Sequence, residues 1–431
     1  MIRHLYNIAA NIIGPPAVLA ASLKGRFGGR WRDRLGLSFS PPRAWDRPRL
    51  WFHGASVGEA RSAAAIIRAV LALRPWSEIY LSVGTPAGLA QAEEMFRADP
   101  RVRIMAPPLD FWGAPGRALA RLNPDALIIL ETELWPGLVQ AARRNQVALI
   151  LAAGRLSERS FRRYRLAGGF MAEILSSFAL IAPAGDLEKE LFAALGAPPE
   201  RLKVLGNPKF DPLLTEARSP RFAALKLEWA RKIWGGGPRS PLIVAGSTHP
   251  GEEAWLLSAF SALADRFPDL RLLLAPRHLT RIGEIRAQVR ARGLEPVLTG
   301  EAEEPLAKNG SILILDSMGQ LPAVYAQADL ALVGGTLLPE LLGHNPLEPA
   351  AVGAPILFGP YRPSFRLEAA ELLAAGGARA TSRETLAEDL AGLLAEPATA
   401  RLMAQKAGDC LARRPAAAPA LAEAVFDIIG S

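Results

Sequence analysis

At 431 residues, half of them apolar, the chain exceeds what one ordinary hydrophobic core holds and reads as two globular domains. Its 50 lysines and arginines outnumber 42 acids, and 42 of the 50 are arginine. This balance suits an anionic partner such as a membrane surface, a nucleotide phosphate or an acidic sugar, while the lack of any basic-and-aromatic recognition segment argues against nucleic acid. The single cysteine, Cys410, excludes an intramolecular disulfide and a cysteine-based zinc site, and fits a reducing, cytoplasmic setting.

Leu5 to Leu23 is an uncharged run interrupted by Asn7, Asn11 and Pro15-Pro16, followed by Lys24, Arg26, Arg30, Arg32 and Arg34. The positive cluster lies after the apolar run, which is the wrong order for a signal peptide and keeps the remainder of the chain on the cytoplasmic side. Residues 1–35 are therefore expected to be a membrane-associated segment. Two asparagines and a Pro-Pro pair weaken a spanning helix of about 20 residues, so spanning and interfacial placements both remain open.

The next stretch, Trp51-Phe-His-Gly-Ala-Ser-Val-Gly-Glu59-Ala60, reads as a short buried strand, a sharp loop and a helix start. Ser56 and Glu59 have capping-box spacing, and Ala63, Ile66, Ile67, Val70 and Leu71 come next on one helical face. Glu59 thus lies in a first helical turn near the mouth of a sheet. A cap and a general base are both consistent with that position. Strands are expected at 50–52, 79–83, 102–106, 126–130, 147–152 and 180–182, with helices at 60–73, 87–96 and 134–144 between them. That is the rhythm of a parallel sheet filling residues 36–212.

Asp211-Pro212 and the Gly-Gly-Gly-Pro run at 235–238 bracket an expected linker, 213–240, with one helix inside it. The rhythm resumes with strands at 242–245, 270–275, 312–315, 330–333 and 356–358, assigning 241–431 to a second α/β domain. The chain is thus expected to form two doubly wound domains, and in such sheets ligands bind beyond the carboxyl ends of the strands.

Those ends are rich in polar groups: Glu131-Thr132-Glu133, Ser247-Thr248-His249, Arg277-His278, Met318-Gly319-Gln320, Gly334-Gly335-Thr336 and Gly343-His344-Asn345-Pro346-Leu347-Glu348. A nucleotide needs amides or a helix start for its phosphate, a cation for its charge and a carboxylate for its ribose hydroxyls. Gly343 to Asn345, Arg277 and Glu348 supply that set. Neither a P-loop nor a Gly-x-Gly-x-x-Gly fingerprint is present, which argues against a nucleotide-hydrolysing motor and a dinucleotide oxidoreductase. The histidines at 4, 53, 249, 278 and 344 form no His-x-x-x-His pair, so a zinc site has little support; no cofactor is expected.

Seven motifs in order carry a specific resemblance: His53-Gly-Ala-Ser-Val-Gly-Glu59, Glu131-Thr-Glu-Leu-Trp-Pro136, Gly206-Asn-Pro-Lys-Phe-Asp211, Ser247-Thr-His-Pro-Gly-Glu-Glu253, Pro276-Arg-His278, Asp316-Ser-Met-Gly319 and His344-Asn-Pro-Leu-Glu-Pro349. The chain resembles the 3-deoxy-D-manno-octulosonic acid (Kdo) transferases from its apolar N-terminus to about residue 380. The resemblance implies a GT-B glycosyltransferase, its two parallel-sheet domains facing a central cleft. Its reaction would be inverting and metal-independent, moving Kdo from CMP-Kdo to a lipid A precursor at the cytoplasmic face of the inner membrane, in lipopolysaccharide biosynthesis. By position, Glu59 matches the family's catalytic base. Glu131 and Lys209 match residues assigned to transition-state stabilisation. Pro276, Arg277, Met318, Gly319, Gln320, Asn345, Pro346, Leu347 and Glu348 match its CMP contacts. Two positions depart from the pattern. Leu342 stands where the family often has a second glycine, which would restrict the loop because leucine disfavours positive φ, and Gln320 stands where it often has an acid. The rival readings are another nucleotide-sugar transferase or epimerase of the same fold, and a membrane-attached sugar-binding protein without catalysis.

Overall fold

A computed structural model describes residues 11, 12, 14, 16, 30–38, 47–111, 113–301, 306, 311–414 and 416–430. It divides into two compact units, Met1–Pro212 with Pro415–Ser431, and Leu213–Arg414.

The first unit is built on β1 (Arg49–Gly54), β2 (Glu78–Val83), β3 (Val102–Met105), β4 (Ala126–Leu130), β5 (Ala148–Gly154) and β6 (Leu180–Pro183). These form a parallel sheet in the order β3-β2-β1-β4-β5-β6. Successive strand residues point to opposite faces, and here both faces are covered, which explains the unbroken apolar runs. Leu50 and Phe52 join the core beneath the helices Val57–Leu73, Pro86–Phe96 and Ala417–Ile429. Trp51 joins the opposite core with Leu127, Ile129 and the helices Ala114–Leu122, Pro136–Arg144 and Gly168–Leu175. Strand order reverses between β1 and β4, so the loops leaving their carboxyl ends turn to opposite faces and open a crevice.

The second unit carries β7 (Leu242–Thr248), β8 (Arg271–Pro276), β9 (Glu295–Leu298), β10 (Ser311–Ile314), β11 (Leu330–Val333), β12 (Ile356–Phe358) and β13 (Ala378–Ala380). They pair in parallel in the order β13-β12-β11-β7-β8-β10-β9. Its reversal lies between β7 and β11.

The expected domain limits change in three places. Residues 213–240 are not a free linker. The helix Pro220–Trp234 buries Phe222, Trp229, Ile233 and Trp234 in the second core, and the Trp229 indole donates to the Gln320 side chain at 3.0 Å. The second unit also ends before the chain does. The last helix, Ala417–Ile429, buries Leu421, Val425 and Phe426 against the first core, and Asp211 accepts from the amides of Ala417, at 3.2 Å, and Ala418, at 2.5 Å. At the N-terminus, residues 30–36 belong to the first unit. Leu109 N donates to Arg34 O at 2.8 Å, Ala106 N to Asp33 at 3.1 Å and Arg117 to Leu35 O at 3.0 Å. Arg34 is buried, so it leaves the expected basic cluster. Apart from residues 11, 12, 14 and 16, the apolar run 5–23 lies outside the described residues, as do Lys24 and Arg26. Among the described residues, no helix is long and apolar enough to cross a membrane.

Candidate active site

In the first unit, Glu59 closes the expected capping box. Its carboxylate accepts from the amides of Ala55 and Ser56, while Ser56 Oγ donates to Glu59 Oε1 at 3.1 Å and accepts from Glu59 N at 3.3 Å. A carboxylate has about four acceptor positions, so these three donors leave one lone pair on a half-buried group. Capping therefore orients Glu59 without using up its capacity to accept a proton. The turn into this helix requires glycine at 54, since a Cβ there would lie 2.9 Å from Glu59 Cβ.

Glu131 follows β4, the neighbour of β1 across the strand reversal. It holds φ at 53°, a left-handed conformation that costs about 1 kcal/mol or more outside glycine, and its amide is fixed to Ala152 O at 2.9 Å. Burial, then the Glu59 charge, raise the Glu131 carboxyl above its usual range, while Arg155 and Lys209 oppose the rise. Glu59 and Lys209 thus both lie within electrostatic reach of Glu131 inside one unit.

Sequence reasoning passed over Glu133. Burial and the Glu59 charge push its carboxyl up to about 7, against a hydrogen bond from the Trp135 indole at 2.8 Å. Trp135 also meets the buried His53 edge-on, with ring centroids 4.7 Å apart. His53 lies 2.9 Å from Ser82 Oγ through Nδ1, and burial lowers it to about 3, so it is neutral at physiological pH. The signal for Glu133 was present in the Glu-Thr-Glu-Leu-Trp spacing, but only the fold reveals how little water reaches its second acid.

In the second unit the predicted residues lie beyond the carboxyl ends of β8, β10 and β11. Arg277 is exposed just past Pro276, and its amide donates to Thr248 O at 3.0 Å. Met318 is exposed, Gly319 has φ +79°, and Gln320 spends its side-chain oxygen on Trp229. The expected helix start at Asn345 is present but short. Asn345 Oδ1 accepts from Leu347 N at 3.0 Å, but the helix Leu347–Ala351 is a single short turn. Burial, then the charge of nearby Glu348, raises the Tyr325 phenol. Leu342 is exposed and has no positive φ. Gly343 takes that role with φ +73°, packed so closely that a Cβ would lie 2.8 Å from Arg362 Cα.

Two acids in the Ser247-to-Glu253 motif hold this edge together. The fully buried Glu252 accepts from the amides of His249, Gly335, Thr336 and Leu337 at 2.8–3.2 Å. Glu253, equally buried, accepts from Thr248 Oγ1 at 2.8 Å and from both terminal nitrogens of Arg281 at 2.7 and 3.1 Å. A separate cavity of about 670 Å³ contains Pro241, Asp329 and Pro355 in its lining. It lies at the amino ends of β7, β11 and β12 and holds none of the predicted site residues.

A family profile described as 3-Deoxy-D-manno-octulosonic-acid transferase (kdotransferase) matches residues 29–212. Over 99% of this chain and 100% of its relative, the sequence is 31% identical to the 3-deoxy-D-manno-octulosonic acid transferase of Bordetella pertussis. The chain belongs to the Kdo transferase family. It is also 31% identical, over 77% of its length and 72% of the relative's, to a probable mitochondrial 3-deoxy-D-manno-octulosonic acid transferase of Arabidopsis thaliana. The fold is similar to that of a Rickettsia africae glycosyltransferase, with a TM-score of 0.60 at 11% identity, covering 89% of this chain and 99% of that one. It is likewise similar to the Neisseria meningitidis UDP-GlcNAc 2-epimerase, with a TM-score of 0.58 at 13% identity, covering 88% and 99%. The Kdo transferase thus has the two parallel-sheet α/β domains of GT-B-like glycosyltransferases and epimerases. Family membership makes it an enzyme, which removes the non-catalytic reading.

Proposed function

We propose that this Kdo transferase moves Kdo from CMP-Kdo to a lipid A precursor, with inversion, without a bound metal, at the cytoplasmic face of the inner membrane. The observation that carries the mechanism is the grouping of Glu59, Glu131 and Lys209 around the strand reversal of the first unit. An acceptor hydroxyl is a weak nucleophile at neutral pH, so the remaining lone pair of Glu59 takes its proton as the new bond forms. The acceptor oxygen attacks the anomeric carbon from the face opposite the phosphate. The carbon–oxygen bond to phosphate breaks, and CMP leaves with the electron pair, which inverts the centre.

Charge rises on the departing phosphate and falls on the sugar ring. In the first unit Lys209 and Glu131 meet these changes, with Glu131 offsetting the positive character of the ring. The nucleotide is assigned to Pro276, Arg277, Met318, Gly319, Gln320, Asn345, Pro346, Leu347 and Glu348 in the second unit, and the acceptor to the first. Incubating the protein with a CMP-Kdo-generating system and a lipid A precursor, then weighing the lipid by mass spectrometry, tests the reading. Addition of one or more Kdo units is expected, and an unchanged acceptor with a UDP-sugar consumed instead would overturn it.

A further inference from the structure

His249 and His344 face each other through their Nε2 atoms at 2.8 Å. Their planes differ by 12° and their centroids are 5.1 Å apart. The centroids are nearly twice as far apart as the facing nitrogens, so the rings meet end to end rather than face to face. Such a contact is an N–H···N hydrogen bond in which one Nε2 carries the proton and the other offers a lone pair. The two neutral imidazoles therefore behave as one unit.

The partners on each side explain what that unit holds. Glu252 binds the amides of both His249 and Gly335, which fixes His249 to the loop after β11. The His344 ring packs on Gly335, where a Cβ would lie 2.9 Å from its Cδ2. Among the described residues, the amides of Gly343, His344 and Asn345 meet no acceptor. The loop is instead anchored by Ser364 N donating to Leu342 O at 3.2 Å and by the histidine pair. The groups around His249 are His278, Arg277, Arg281 and Glu253; those around His344 are Arg277, His278 and His249. Burial first, then the neighbouring imidazoles and arginines, keep both rings neutral, with His344 lowered to about 4.

We propose that His249 and His344 form a hydrogen-bonded positioning pair that holds loop 343–346, and with it Asn345, in place to receive the phosphate and ribose of a cytidine nucleotide. The pair transmits the fixed position of Glu252 through His249 and His344 to a loop whose free amides then face the ligand. It rests on the reading that the second unit binds CMP. The pair is not itself a catalytic group, and substitution acts through the loop.

Three variants and three measurements test it. Nitrogen-15 spectra of the histidine-labelled protein should carry a coupling across the hydrogen bond between the two Nε2 atoms. His344→Phe should weaken CMP binding by calorimetry about tenfold, the scale of losing one half-buried hydrogen bond that holds the loop in its binding position. His344→Asn, too short to reach His249, should do the same. His344→Gln, which places an amide where Nε2 stood, should return affinity to within about twofold of wild type. Melting temperatures should stay equal across the set. Wild-type affinity in His344→Phe or His344→Asn, or a His344→Gln as weak as either, would refute the positioning role. Absence of the coupling would refute the pair. Failure of the wild-type protein to bind CMP at all would overturn the donor reading itself and this role with it.

Discussion

At the scale of residues, the first unit solves one problem with one carboxylate used twice. The capping box and the proposed base are the same side chain, and the cap lends the base a fixed orientation. Glu59→Gln should preserve the fold, because an amide can keep most of the capping geometry, and should preserve CMP binding. Transfer should fall on the order of 10²-fold or more, the usual loss on removing a general base, as measured by initial rates of Kdo transfer. Glu133 offers a stability test. Its carboxyl titrates at about 7 in the folded protein, against 4.5 ordinarily, so the folded state keeps that proton where the unfolded chain has lost it. Ionising it costs stability progressively as pH rises from 4.5 to about 7, and the full cost remains above 7. Glu133→Gln keeps an acceptor for Trp135 and should raise the unfolding free energy at pH 8 by about 1–3 kcal/mol, flattening its dependence on pH across that window. Urea titrations at pH 5 and pH 8 measure both effects. The motif spacings brought Glu59, Glu131, Arg277 and Asn345 to view. Glu133, Glu252 and the paired histidines stayed hidden, because their roles depend on burial and on partners up to 95 positions away.

At the scale of elements, every expected strand is present, because an apolar run buried on both sheet faces leaves a strong local signal. The misses are elements whose pattern is weak or whose partner is remote. Edge strands β9 and β13 were not expected; Glu295 is exposed and Arg379 half-buried in them, so neither has the continuous apolar run of the central strands. The helix Pro220–Trp234 reads as part of a linker until Trp229 is seen to reach Gln320, and the last helix carries no sign of which unit it joins. Its docking gives a clear prediction. Phe426 is 5% exposed in the first core, with the Arg74 guanidinium 5.2 Å above its ring. Phe426→Ala should destabilise the first unit by about 3–5 kcal/mol, as for a truncated core aromatic. The second unit should be little affected. Hydrogen exchange read separately in the two sheets distinguishes them, and equal loss of protection in both would mean that the helix serves the second unit as well.

At the scale of the whole molecule, the basic balance and the N-terminal apolar run underlie the proposed membrane attachment, and the structure marks where the described fold takes over from that segment. Arg30 donates to Ile104 O at 2.8 Å and pairs with Glu93, Arg34 is buried, and Arg121 donates to Gly36 O at 2.9 Å. Residues 30–36 therefore stabilise the first unit, whereas every proposed site residue and every described sheet strand lies beyond them. A chain beginning at Gly29 should fold, melt within a few degrees of the full chain and bind CMP equally well. Its attachment to vesicles containing anionic lipid should fall sharply, since the apolar run and Lys24 and Arg26 are gone. Transfer should drop more on vesicle-embedded acceptor than on detergent-dispersed acceptor. Raising salt should release only part of the full chain, because screening weakens the charge contribution and leaves apolar burial intact. A second chain beginning at Leu37 should lose the contacts of Asp33, Arg34 and Leu35 and be markedly less stable. Sedimentation with vesicles, run beside thermal melts of all three chains, reads both halves of the argument; co-sedimentation of the Gly29 chain at the full-length level would refute the attachment role of the residues before it.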